Sequence, residues 1–319
     1  MPMQVHRGES DVPAARGAAV TIGVFDGVHR GHQEVLANLR AWATELGVPA
    51  GVITFAQHPR KVLDHRPIDM LTTTEHRLLL FERAGIDFTW LLDFTEDLSR
   101  LDATTFAQRF LVDKLQIRCL DLGFDSRFGC DRIGADSPGI QPLAQHLGFQ
   151  VRCLQPVLTP EGKPISSTLV RQSIWEGRLR DAEAMLGRRV SVYGIVVKGD
   201  ARGRRLGYPT INLDLGGEVR PPFGVYVTLC KAGGKEFGSV TNVGYRPTVS
   251  QPLEPGEKPD LMIETHLFDY SGDLYGQHVE VSFVEKLRDE QRFPDVQALV
   301  EQIKRDEEKA RLILRALHQ

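Results

Sequence analysis

The chain has 319 residues, 41% of them apolar and 25% charged, with a formal net charge of −3. That length suits two domains with separate cores, and the charge leaves no basic footprint for nucleic acid. No apolar run reaches membrane-spanning length, and Cys119, Cys130, Cys153 and Cys230 are too scattered for a CxxC zinc site or a disulfide framework.

Residues 1–17 are polar, with Gly and Pro, and read as a leader that pairs late or stays loose. Residues 18–25 then read as a buried strand. Residues 32–46 read as a helix with Val35, Leu36, Leu39, Trp42 and Leu46 on one face, stopped by Gly47. Strand and helix patterns go on alternating: strands at 50–55, 88–92, 119–122 and 149–154, helices at 74–83, 103–115 and 143–147. This alternation predicts a parallel sheet covered by helices on both faces. Beyond residue 190 the pattern changes to short alternating strands at 191–197, 225–230, 239–243, 262–267 and 279–284, punctuated by Gly and Pro. An antiparallel sandwich or barrel is expected there. A final helix over 295–317 carries Val296, Leu299, Val300, Ile303, Ala310, Ile313 and Leu317 on a face expected to pack on the barrel. The domain boundary is expected near 186–189, which gives domains of 1–187 and 188–319.

Chemistry concentrates in a few segments. The run Thr21-Ile22-Gly23-Val24-Phe25-Asp26-Gly27-Val28-His29-Arg30-Gly31-His32 is an apolar strand leading through a glycine turn to two histidines at a helix start. A helix start offers N–H groups and the positive end of the dipole to phosphate, and Gly27 and Gly31 leave room for it. His29 and His32 can donate to phosphate oxygens. Two histidines three apart could also share an exposed helix face or hold a metal, but no third ligand has the spacing. Ile165-Ser166-Ser167-Thr168-Leu169-Val170-Arg171 puts three hydroxyls at a helix start with a guanidinium one turn on. One hydroxyl suffices as a cap, so the set is read as a second phosphate cradle. Residues 123–129, with Asp125, and His58-Pro59 form loops at the same strand ends and are weak signals alone.

In the second half, residues 199–207 form a basic loop with Gly199, Gly203 and Gly207, suited to phosphates. Pro209-Thr210-Ile211-Asn212 adds a hydroxyl and an amide oxygen, both hard donors for Mg²⁺. Glu264 lies on a strand, where it either faces water or serves as a general base.

In order, residues 25–32, Thr54-Phe55 with His58-Pro59, residues 123–129 and residues 165–171 resemble the FMN adenylyltransferase module of bacterial bifunctional riboflavin kinase/FAD synthetases. The resemblance implies that His29 and His32 stabilise the triphosphate as FMN attacks the α-phosphorus of ATP, with Gly23, Phe25, Asp26, Gly27 and Gly31 in the nucleotide site. It implies that Ser166, Ser167, Thr168 and Arg171 hold the phosphates and the leaving pyrophosphate, and that Asp125 lies near nucleotide and metal. Val24, Ser126 and Cys130-Asp131 depart from that family's usual residues. Residues 199–212, Pro222 with Gly224-Val225-Tyr226, residues 242–248, residues 264–267, Tyr275-Gly276 and residues 287–290 resemble the riboflavin kinase domain, a six-stranded antiparallel barrel with a C-terminal helix. There the resemblance implies that Thr210 and Asn212 bind Mg-ATP, that the 199–207 loop closes over ATP, and that Glu264 takes the proton of the ribityl hydroxyl. Asn242 and Arg288 would contact the flavin.

The expectation is a cytoplasmic bifunctional enzyme using ATP and Mg²⁺ on riboflavin and FMN, a monomer or weak homo-oligomer without nucleic-acid or membrane partners. Two alternatives stay open: a riboflavin kinase with weakened or absent FAD synthesis, and a flavin or nucleotide sensor that kept both pockets.

Overall fold

The computed structural model describes residues 2–65, 69–199, 203, 206–245 and 261–317. The chain divides into two compact units, Met1–Leu169 and Val170–Gln319.

The first unit is built on a parallel sheet. Its strands are β1 (Gln4–Arg7), β2 (Ala19–Ile22), β3 (Ala50–Phe55), β4 (Phe88–Leu92), β5 (Cys119–Leu122) and β8 (Gln150–Cys153), in the order β1-β4-β3-β2-β5-β8. A two-residue hairpin, β6 (Arg127–Phe128) and β7 (Ile133–Gly134), stands apart. The central strands are buried on both sides, as helices on both faces require. Its helices are α1 (Arg30–Leu46), α2 (Pro59–Leu63), α3 (Thr74–Arg83), α4 (Glu96–Ser99), α5 (Ala103–Phe106) and α6 (Ile140–Leu147). One layer holds α1 and α3, whose Leu36, Leu39 and Phe81 pack on Ala19, Val52 and Cys119. On the other face Phe106, Phe110 and Leu143 meet Val20, Ile53 and Leu120. Chain order reverses beside β2, with β3 on one side and β5 on the other. The carboxyl ends of β2 and β5 therefore flank a switch point, where such sheets bind ligands.

Three details add to the sequence reading or differ from it. Of the two outcomes open to the leader it pairs: Gln4–Arg7 forms the edge strand β1, parallel to Phe88–Leu91. Its short polar sequence gives no period-2 signal, and only pairing with β4 defines it. The helix expected over 103–115 runs as α-helix through Ala103–Phe106 and widens into a π-turn at Ala107–Val112. A further strand, β10 (Ile211–Asp214), directly follows the Pro209-Thr210 step.

The second unit contains a closed barrel in the order β10-β13-β12-β11-β14-β9. The remaining strands are β9 (Ser191–Val197), β11 (Gly224–Ala232), β12 (Lys235–Tyr245), β13 (Leu261–Leu267) and β14 (His278–Arg288). All neighbours are antiparallel. The C-terminal helix Val296–Ala316 packs Ala310, Leu314 and Ile313 with Val227, Leu229 and Phe268, so it covers the barrel as expected, but Val296 and Leu317 of the expected face are exposed and Leu314 takes part instead.

Candidate active sites

The first site grows from the end of β2. The turn after it is strained: Phe25 and Val28 have φ of 55° and 39°, which costs about 1–3 kcal/mol per residue and persists only where the surroundings over-determine it. Several contacts do so. Gly23 N donates to Ile53 O. Arg77, on α3 and only 1% exposed, donates Nη1 to Val24 O at 2.8 Å and Nη2 to Phe55 O at 2.6 Å. Burial pulls the Arg77 guanidinium down to about 10, while Asp26 and Glu75 act to raise it. Buried Asp26 accepts from Thr72 N, and Thr72 Oγ1 accepts from Gly27 N. Gly27 has φ 80°, and a Cβ there would stand 2.6 Å from Leu71 Cδ1.

His29 caps α1: its Nδ1 accepts from His32 N at 3.4 Å. A ring nitrogen that accepts carries no proton, so in the neutral ring the proton sits on Nε2. The two imidazoles stack at 3.7 Å with 17° between planes, and Phe25 lies 5.1 Å from His32. A Cβ on Gly31 would touch His29 at 3.2 Å, and Ile165 O is 3.9 Å away. Residues 165–168 therefore come up beside the histidine turn. Ser166 Oγ accepts from Leu169 N as the cap of α7 (Ser167–Trp175). Ser167 Oγ donates to Asp26 O at 2.9 Å. Its single proton is thus committed to the turn. Thr168 is exposed, and Arg171 lies one helical turn on in the second unit.

The other flanking loop comes from β5. Gly123 stands 3.4 Å from Val35 on α1, measured from an ideal Cβ, and Ser126 N closes the loop onto Gly123 O. Asp125 is exposed at its tip. At Cys130-Asp131, Asp131 Oδ1 accepts from Ala103 N at 2.8 Å, at the start of α5 (Ala103–Phe106). Cys130 is exposed.

The second site lies on the outer face of the barrel. Ile263, Thr265 and Leu267 are buried along β13, while Glu264 and His266 alternate with them and are half-exposed. Glu264 is the register partner of Asn212 on β10 and of Asn242 on β12. The expected residues thus form one row across three strands, with side chains on one face. Thr210 Oγ1 donates to Glu264 Oε1 at 3.1 Å. Pro209 O is tied to His266 Nδ1 at 2.8 Å. A Cβ on Gly199 would stand 2.2 Å from Asn212 Nδ2, and one on Gly203 would stand 2.4 Å from Tyr208 O and 3.0 Å from Thr210 Oγ1. Both glycines are small because the site residues lie against them. Gly207 has φ 85°. The rest of that loop (200–202 and 204–205) and Arg246-Pro247-Thr248 lie outside the described residues.

Asn242 extends the row through Val225 to Arg288 on β14. The Arg288 guanidinium is already engaged. Nε and Nη2 donate to Asp306 Oδ2 at 3.0 and 2.8 Å, which ties β14 to the C-terminal helix. Glu290 Oε1 accepts from Asn242 Nδ2 at 3.5 Å. Sequence reasoning missed Thr72, Arg77 and Asp306, which stand in no motif, and noted Asp131 only as a departure; each acts on a partner distant in sequence. Among the described residues no three His, Cys, Asp or Glu side chains gather as a metal site.

Comparison with known proteins places both halves. Residues 11–169 match the FAD synthetase family and residues 186–314 match the riboflavin kinase family. A bifunctional riboflavin kinase/FMN adenylyltransferase of Pseudomonas fluorescens is 39% identical over 98% of this chain and 98% of its own. The Escherichia coli K12 protein of the same name is 37% identical over 97% of each. A solved structure described as a macrolide-efflux protein of Streptococcus pneumoniae superposes with a TM-score of 0.80 at 30% identity, covering 98% of this chain and 99% of that one. Among the described residues no helix is long and apolar enough to cross a membrane. With both family matches in order and relatives aligned nearly end to end, the chain belongs to the bifunctional riboflavin kinase/FMN adenylyltransferase family.

Proposed function

We propose that this chain converts riboflavin to FMN and FMN to FAD, with ATP as co-substrate in both steps. The observation that carries the kinase half is the Asn212–Glu264–Asn242 row with the Thr210 hydroxyl on its carboxylate. We assign adenylyl transfer to residues 1–187 and phosphoryl transfer to residues 188–319.

In the barrel, the Glu264 carboxylate takes the proton of the ribityl 5′-hydroxyl as that oxygen bonds to the γ-phosphorus of ATP. The bond from the γ-phosphorus to the bridging oxygen breaks and ADP leaves. Thr210 orients Glu264 through the 3.1 Å hydrogen bond. Asn242 and Asn212 flank it in the row, Asn242 toward the flavin and Asn212 toward the nucleotide. Gly199, Gly203 and Gly207 let the loop approach the phosphates. The donor set fits Mg²⁺: Thr210 gives its proton to Glu264, leaving hydroxyl lone pairs for a hard cation, and Asn212 adds an amide oxygen. When bound, the cation would neutralise charge gathering on the phosphate oxygens. Arg288 acts through Asp306, holding the loop that follows β14 at the flavin end.

In the α/β unit a phosphate oxygen of FMN bonds to the α-phosphorus of ATP and pyrophosphate leaves, with no proton to remove. His29 and His32 donate to the phosphate oxygens at the start of α1, where unpaired N–H groups and the dipole add to them. Ser166 and Ser167 serve mainly by building the adjoining helix start: one caps it, the other ties it to Asp26. Thr168 and Arg171 contribute a hydroxyl and a positive fork to the leaving pyrophosphate. Asp125, exposed at the tip of its loop, would help hold a cation that accompanies the nucleotide. We also propose a cytoplasmic location and a monomer or weak homo-oligomer.

The test is a chromatographic time course with riboflavin, ATP and Mg²⁺. FMN rising first and FAD following supports both halves. FMN accumulating without FAD refutes adenylyl transfer, and neither product from folded protein refutes the kinase assignment.

A further inference from the structure

The histidine turn is held by a side chain that belongs to none of the motifs. Arg77 lies on α3 and is almost fully buried. Its two terminal nitrogens reach carbonyls from two different strand ends, Val24 after β2 and Phe55 at the end of β3. Four residues on, Phe81 meets Phe25 edge-to-face at 5.6 Å. Thr72, just before α3, grips Asp26 and Gly27. The segment leading into α3 and that helix thus cradle the turn, and Arg77 reaches both strand ends from outside the sheet, beside the direct links of Gly23 N to Ile53 O and Thr54 Oγ1 to Val24 O. The positive φ of Phe25 and Val28 is the conformation so held.

We propose that Arg77 is a positioning residue for adenylyl transfer. Its planar fork fixes the carbonyls of Val24 and Phe55 at once, which sets the turn that aims His29 and His32. A lysine keeps the charge but not the fork. This role rests on the adenylyl-transfer reading above. It predicts an effect on the chemical step: misaimed histidines still permit nucleotide and flavin to bind but stabilise the transition state less.

The test uses the full chain carrying Arg77→Lys or Arg77→Met, assayed with supplied FMN and ATP. Folding is followed by tryptophan fluorescence, to which buried Trp42 and Trp90 of the first unit and exposed Trp175 of the second contribute. We expect kcat for FAD formation to fall about 30-fold in Arg77→Met, about 2 kcal/mol, and about five-fold in Arg77→Lys. KM for FMN and ATP should stay within about two-fold, and FMN formation from riboflavin should be unchanged. If Arg77→Met does not fold, Arg77→Lys decides. A kcat within two-fold of the parent in a folded variant overturns the proposal, as does a loss confined to KM. A parent chain that makes no FAD from FMN overturns instead the function on which the role rests, and that is visible before any variant is made.

Discussion

Asp121 makes a prediction whose size follows from its surroundings. It lies on β5, fully buried, with Oδ2 3.2 Å from Arg152 Nη2. Its other oxygen, Oδ1, is buried without a hydrogen-bond partner. Arg152 also donates to Asn38 O on α1 and stacks 3.7 Å over Trp42. Burial pushes the Asp121 carboxyl up to about 6, although Arg152 pulls it back. Its ordinary value is 3.8. The folded value lies above the unfolded one, so Asp121 favours folding fully below the unfolded value, and that favour is lost as pH rises through about 6. A shift of about two units costs about 3 kcal/mol at pH 8, about 1.5 at pH 5 and about 0.5 at pH 4. Asp121→Asn keeps the shape and removes the charge. The variant should therefore be more stable than the parent, by a margin that grows with pH. At pH 8 this amounts to about 6–12 °C in melting temperature for a unit of this size. The assay is thermal unfolding of the full chain carrying Trp175→Phe in both parent and variant, followed by Trp42 and Trp90 fluorescence from pH 4.5 to 8. A margin that does not change with pH, or an Asn variant less stable than the parent at pH 8, refutes the reasoning.

Two further changes address the sites. Gly27→Ala places a Cβ 2.6 Å from Leu71 Cδ1 at a φ of 80°; FAD formation from FMN should fall at least ten-fold while FMN formation persists, as measured by product chromatography. Arg288→Gln leaves buried Asp306 without its counter-charge. It should destabilise the barrel by about 3–5 kcal/mol, read by denaturant unfolding, and raise KM for riboflavin more than KM for ATP.

The parts of this molecule legible in its sequence are those set by local chemistry. The Gly27-to-His32 run announces a turn and a helix start because Gly27 takes the positive φ there and His29 caps the helix, whereas Val28 is held at φ 39° against its residue type by the contacts around it. The alternation of Ile263, Glu264 and Thr265 puts the carboxylate on the outer face. Register is another matter. That Asn212, Glu264 and Asn242 share one row depends on pairings across three strands, which no single segment encodes. The same reason hides β1, whose existence depends on β4. Arg77 was illegible because an arginine on a helix face is ordinarily solvated. Only the folded sheet brings Val24 O and Phe55 O to its fork. Ser167 shows the converse: its residue type suggests a ligand contact, and the fold gives its proton to Asp26 O.

The central claim is that two chemistries occupy two separate sites and that FMN links them. Its most direct test uses two full-length variants, Glu264→Gln and His32→Ala, each supplied with riboflavin, ATP and Mg²⁺, apart and mixed. Apart, the first should form FMN from riboflavin about 10²–10⁴-fold more slowly, for loss of a general base, yet convert supplied FMN to FAD at the parent rate. The second should stop at FMN. Mixed, they should make FAD from riboflavin. If either folded variant lost both activities, or the mixture made no FAD, the two-site account would be wrong.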